Sequence, residues 1–273
     1  MKKATLLLVL FISIFFTSCE EVVDVNLDTA PPKLVIEAAL NWQKGTTGKQ
    51  QTIKLTTTTG FFQNVIPTVS GATVFVKNSQ NEQFNFNEVA KTGRYVCSNF
   101  KPVIDETYTL TVISAGNTYT ATEIMKSIAP ISRIEQKNDG GITGTDIEVR
   151  AYYNDPPNVD NFYLYKYVYS NKITSTYYVA EDKFFQGNEY FSQSDDDDLE
   201  IGNEIEITHY GISKQYYNYM SILVSIAGSN VGGPFQSPPA TVKGNIINTT
   251  DKANYPLGYF SISETDTKKY KIQ

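Results

Sequence analysis

Apolar and polar residues alternate with a period of two along most of this chain, and the pattern predicts a fold built mainly of strands. In the first half the alternating runs fall at 33–40, 51–58, 72–77, 83–87, 93–98, 108–114 and 118–124. Turn formers separate them at Gly45, Gly48, Gly60, Ser70-Gly71, Gly93 and Gly116-Asn117. Ala115-Gly116-Asn117, set between two runs rich in Thr and Tyr, is the clearest hairpin signal. This spacing of short strands is that of a β-sandwich, and its length suits an immunoglobulin-like domain over 33–129. The antibody disulfide is missing, and Trp42 falls at the end of the first strand, away from where an antibody core would hold it.

Beyond Ala129-Pro130 the expected strands are 131–136, 146–153, 162–170, 174–179 and 204–209, with 184–200 left between them. The period then changes. Tyr216, Tyr219, Met220, Leu223, Val224 and Ala227 recur at three and four, which predicts an amphipathic helix over 213–228, with Ser213 as N-cap and Gly228 as stop. Short strands are expected again at 244–247 and 258–262. The expected organisation is therefore mostly β, with an immunoglobulin-like sandwich over 33–129 and a second β-rich domain over 130–273 that carries one amphipathic helix.

The N-terminus reads differently. Lys2 and Lys3, an apolar run from Leu6 to Phe16 that is too short to span a bilayer, and then Thr17-Ser18-Cys19 have the anatomy of a lipoprotein signal peptide over 1–18. On this reading Cys19 becomes the acylated first residue of the mature chain. An ordinary secretory signal with an incidental cysteine is the competing reading. Glu20, Glu21 and Asp24 make residues 19–32 an acidic tether, similar to surface-export signals of Bacteroidota lipoproteins; a plain solvated linker is the alternative.

The formal net charge of −6 and pI near 5.0 lack the basic surface that nucleic acid requires. With Cys19 assigned to lipid, Cys97 is left without a disulfide partner, and its place in Arg94-Tyr95-Val96-Cys97 makes it a small buried hydrophobe on the face of Tyr95. The single histidine, His209, excludes zinc sites built on several imidazoles, and no Gly-x-Ser-x-Gly elbow or phosphate-cradling loop occurs. No cofactor is expected. The run Asp195 to Asp198 offers hard oxygen ligands, which makes Asp195, Asp197 and Glu200 weak calcium candidates. The run lacks the alternation and central glycine of an EF-hand, so a solvated loop competes with that reading. Tyrosines at 163, 165, 167 and 169 point to one side of a strand, either into a core or onto a contact surface. Tyr163, Tyr165 and Tyr217 are the ligand-contact candidates.

Gly232-Gly233-Pro234-Phe235-Gln236-Ser237-Pro238-Pro239, then Gly244-Asn245-Ile246 and Leu257-Gly258-Tyr259-Phe260, resemble the closing motifs of the domain of unknown function 4249 family of Bacteroidota lipoproteins. Pro32-Lys33-Leu34-Val35-Ile36-Glu37 and Gly71-Ala72-Thr73-Val74 are similar to that family's opening. The resemblance implies an outer-membrane lipoprotein, often associated with TonB-dependent transporters, and it carries no catalytic residue over. The expected function is a non-enzymatic accessory or ligand-presenting subunit at the cell surface, with the periplasmic face as the alternative location. A surface adhesin or structural interaction module is the competing class, and a hydrolase with an unrecognised site is a more remote third.

Overall fold

The computed structural model describes residues 31–273 except 61, 62, 64, 142, 143, 195 and 229–241, so the signal, Cys19, Glu20, Glu21, Asp24 and Asp195 lie outside the described residues. Residues 32–273 form one unit. The strands are β1 (Leu34–Gln43), β2 (Gln51–Thr57), β3 (Thr73–Asn78), β4 (Gln83–Glu88), β5 (Arg94–Cys97), β6 (Thr107–Ser114), β7 (Asn117–Ile124) and β8 (Arg133–Gly140). They continue with β9 (Asp146–Asn154), β10 (Phe162–Tyr169), β11 (Thr176–Glu181), β12 (Glu189–Gln193), β13 (Glu204–Ile212), β14 (Ile247–Asn248) and β15 (Leu257–Lys271). Helix α1 (Lys214–Gly228) lies between β13 and β14. Among the described residues no helix is long and apolar enough to cross a membrane.

Twelve strands form one sheet in the order β11-β10-β13-β15-β1-β2-β5-β4-β3-β6-β7-β14, and β12-β9-β8 form a second. The large sheet curls into a half-barrel. Its curl brings distant strands together, since Lys126, just past β7, bridges to Ser263 in β15 although seven places separate the two strands in the sheet order. The expected hairpin is present: β6 and β7 pair from Ser114↔Asn117 onward, and Ala115 and Gly116 turn with φ of 46° and 75°. Two consecutive positive φ values define the tight turn whose twist suits adjoining strands.

Two strands were not read from the pattern in full. β12 sits in the stretch left between elements; only Ser192 of its five residues is buried, so it carries almost no alternation. β15 was expected to stop at 262 and runs to Lys271. Its second half, Ser263-Glu264-Thr265-Asp266-Thr267, looks like a solvated tail, yet the first four of these residues are buried because β15 is central. It pairs parallel with β1 over Leu257 to Thr265 and antiparallel with β13 over Thr265 to Lys271. Its polar side chains are satisfied there: Glu264 accepts from Ile128 N at 3.0 Å and from Lys44 Nζ at 2.8 Å, and Asp266 accepts from Ile131 N at 2.7 Å. Buried carboxylates persist only with such partners. The expected domain boundary near residue 130 thus falls on a segment fastened to β15.

One core gathers Ile36, Leu40, Ile53, Val76, Phe84, Tyr95, Tyr108 and Leu110 from the first half, together with Phe260 and Ile262 of β15. Cys97 is buried in it beside Tyr95, and Trp42 lies at its margin with Nε1 donating to Thr46 O at 2.9 Å. A second core lies between β10-β13 and the small sheet. It holds Tyr153, Tyr163, Tyr165, Tyr167 and Tyr169 with Val149, Ile205 and Ile207, and Ile272 from just past β15. Because β10 side chains alternate, Leu164 points the other way, where Ile212 of β13 and Met220 of α1 cover it. The helix therefore lies on the opposite face of the large sheet from the tyrosine core.

The family-like closing motifs find a local explanation in this packing. Gly244 approaches Gly258 so closely that a Cβ on Gly244 would stand 1.7 Å from Gly258 O. Next to it, Asn245 mimics a neighbouring strand: its Oδ1 accepts from Phe260 N at 2.9 Å and its Nδ2 donates to Phe260 O at 2.8 Å. These residues fix backbone geometry.

Candidate functional site

Helix α1 is started by Ser213, whose Oγ accepts from Tyr216 N at 3.1 Å, the N-cap arrangement that its sequence predicts. The first half of the helix is firmly seated. Tyr216 and Tyr219 pack on Tyr259 of β15 with ring centroids 4.7 and 4.6 Å away, Tyr217 packs on Phe162 at 5.3 Å, and Met220 is buried. Tyr259 in turn donates to the buried Glu123 at 3.3 Å. Burial pushes the Glu123 carboxyl above its ordinary value and the Tyr216 hydroxyl up to about 12, so Tyr216 keeps its proton at neutral pH.

The second half of α1 flanks an open groove. Leu223 remains 38% exposed, and Leu223, Val224 and Ala227 overhang a groove of 1040 Å³. Small side chains make the opposite wall: Ala39 of β1, Thr52 of β2, and Gly258 and Ser261 of β15. Thr174, Ser175, Thr176 and Tyr177 line it at the start of β11. The charged residues lining the groove are Glu37 and Lys54, which are cross-strand partners in the β1–β2 register with Nζ and Oε1 3.3 Å apart. The groove thus has an aliphatic helix wall, a hydroxyl-bearing sheet wall and one accessible ion pair. A site of this kind orders a ligand by apolar contact and a few polar groups.

The sequence-derived candidates fare unevenly. Tyr163 and Tyr165 are 1% and 3% exposed and are not on a contact surface. The register of β10 turns both into the second core, where Tyr163 donates to Asp155 and the Tyr165 hydroxyl pairs with that of Tyr153. Tyr217 is half-buried against Phe162 and does not line the groove. Asp197 and Glu200 are exposed, while Asp196, just before Asp197, is buried, ion-paired with Lys172 and accepting from Asp198 N at 3.0 Å. Among the described residues no group of three or more His, Cys, Asp or Glu is placed to hold a metal ion. Tyr216 and Tyr219 stood out in the sequence as part of the helical stripe. Ala39, Thr52 and Ser261 carry no sequence signal, and Gly258 stands out only within a closing motif, because a small residue in a strand becomes a groove wall only through the curl of the sheet.

His209 is fully buried between Tyr153 and Tyr165, at ring-centroid distances of 5.4 and 4.7 Å. Its Nε2 lies 2.7 Å from Ser192 Oγ, which is 2.6 Å from the Tyr167 hydroxyl. Nδ1 has no hydrogen-bond partner. A buried N–H without an acceptor costs more than a lone pair without a donor, so we place the proton on Nε2, donating to Ser192. This Ser–His pair has the distance of a nucleophile and base but lacks an acid at Nδ1, and burial lowers the imidazole pKa to about 3.

Three solved structures to which the chain is similar are distant likenesses. A two-domain fibronectin type-III segment of chicken tenascin is 10% identical, with 66% of this chain and 90% of that one covered and a TM-score of 0.23. The FN1–FN3 domains of chicken CNTN1 are 12% identical, with coverage of 67% and 60% and a TM-score of 0.25. A pullulanase from Anoxybacillus is 14% identical, with coverage of 64% and 24% and a TM-score of 0.21. Scores this low transfer nothing to this chain. No curated protein matches it. The family model described as domain of unknown function (DUF4249) matches residues 20–269, and the chain belongs to that family.

Proposed function

We propose that this protein is a lipid-anchored, non-enzymatic subunit of the outer membrane that holds or presents a ligand next to a TonB-dependent transporter, on the cell surface. The groove between α1 and the β1–β2–β15 wall carries this reading: it is built for contact, and among the described residues its lining holds no histidine or cysteine and a single acid, Glu37. The inaccessible, acid-free Ser192–His209 pair favours binding over hydrolysis. Thr17-Ser18-Cys19 and the acidic residues Glu20, Glu21 and Asp24 suggest the address, and the transporter is what the resemblance of the opening and closing motifs implies. The finer architecture we read as an immunoglobulin-like sandwich, β1 to β7 completed by β15, followed by a second β-rich layer bearing the helix.

A mild-detergent pull-down of the tagged, lipidated chain from its own cells, with mass spectrometry of what accompanies it, tests the proposal. The expected result is a transporter barrel in near-equal amount, lost in a Cys19→Ala control. Recovery of the chain alone would speak for an adhesin or spacer module instead.

A further inference from the structure

We propose that the groove takes one zwitterionic phospholipid, with an acyl chain along the helix wall and the headgroup at Glu37 and Lys54. The inference deepens the reading of the groove as a ligand site. Leu223, Val224 and Ala227 give the helix wall an aliphatic surface, and Ala39 and Gly258 keep the facing wall low enough for a chain to lie between. Burying methylenes there is favourable in proportion to the chain length inserted.

Charge selects the headgroup. Glu37 and Lys54 are 55% and 43% exposed and open to exchange of partners. An ammonium on Glu37 and a phosphate on Lys54 replace one surface ion pair by two, whereas a fatty acid satisfies Lys54 and leaves Glu37 facing a second anion. A glycan fits less well, because sugars stack on open ring faces. Here the rings of Tyr216, Tyr219 and Tyr259 lie 4.6 to 6.1 Å from one another and use their faces mutually.

The test uses the full chain carrying Cys19→Ala, so that no acyl group of its own competes, titrated with fluorescently labelled phosphatidylethanolamine below its aggregation concentration and, separately, with oleate. The expected result is saturable binding of one phospholipid per chain, tighter than oleate. Ala39→Trp, which fills the groove from an exposed position, weakens it at least tenfold, and Leu223→Glu on the other wall does the same should the first variant unfold. Glu37→Lys weakens phosphatidylethanolamine several-fold and strengthens oleate. No saturable binding, wild-type affinity in a folded wall variant, or a wild-type preference for oleate overturns the inference. A pull-down without a transporter would leave it standing, since the titration involves no partner.

Discussion

Replacing Gly258 by alanine is expected to destabilise the protein by about 3 kcal/mol, far more than the same change at Gly116. Gly258 has φ +98° and lies opposite Ile36 where β15 joins β1 in parallel. A Cβ there would stand 2.1 Å from Ile36 O, and that oxygen belongs to a central strand with no room to retreat. Displacing it disturbs β15, which contributes Phe260 and Ile262 to the first core and leads into Ile272 in the second. Gly116 has φ +75° in the β6–β7 turn with nothing within 4 Å, so alanine there meets backbone strain alone, about 1 kcal/mol. Urea unfolding of the two variants separates the contributions. Equal losses would mean that the β1–β15 joint is looser than its geometry indicates.

The second large effect is a loss of stability in acid that depends on His209. The folded imidazole pKa is about 3 and the unfolded one near 6.5, so below pH 6.5 the unfolded chain binds a proton that the folded chain refuses. Stability is therefore lost as pH falls from about 6.5 towards 3 and levels off below, at ~1.4 kcal/mol per pH unit in between. The side chains in contact with His209 or with its partner Ser192 do not offset this: Tyr153, Tyr165, Tyr167 and Ser192 are uncharged in that range. Glu123 and Asp155, whose carboxyl pKa values burial raises, act in the opposite direction, gaining stability as pH falls. They are common to wild type and His209→Leu and cancel between them. Between pH 7 and pH 4 the stability difference between the two proteins is expected to move by ~3 kcal/mol in favour of the variant. Parallel pH curves for the two would show that His209 is protonated in the folded state.

Much of this architecture could be read from residue pattern alone, and the exceptions share a cause. Strands with one wet and one dry face, such as β3 (burial alternating through Val74 and Val76) and β6 (through Tyr108, Leu110 and Val112), announce themselves by period. The helix does so too, because one stripe of it meets Leu164 and Ile212. β15 hid because a strand at the centre of a curled sheet can bury Glu264 and Asp266 when backbone donors await them, and those donors, Ile128 N and Ile131 N, lie 136 and 135 residues away in sequence. The tyrosine stripe of β10 was visible as a stripe, but its direction depended on the small sheet that packs over it. The groove was least legible. Its helix wall is an ordinary amphipathic pattern, and its sheet wall consists of residues remarkable only for their small size.

The functional proposal depends first on the fate of Cys19. The intact mass of the native chain extracted from its own membranes, with its N-terminal peptide sequenced, tests this directly. The account predicts a mature chain that begins at Cys19 and carries the mass of a diacylglycerol and an N-acyl group. A chain that begins elsewhere, or carries an unmodified Cys19, would contradict it.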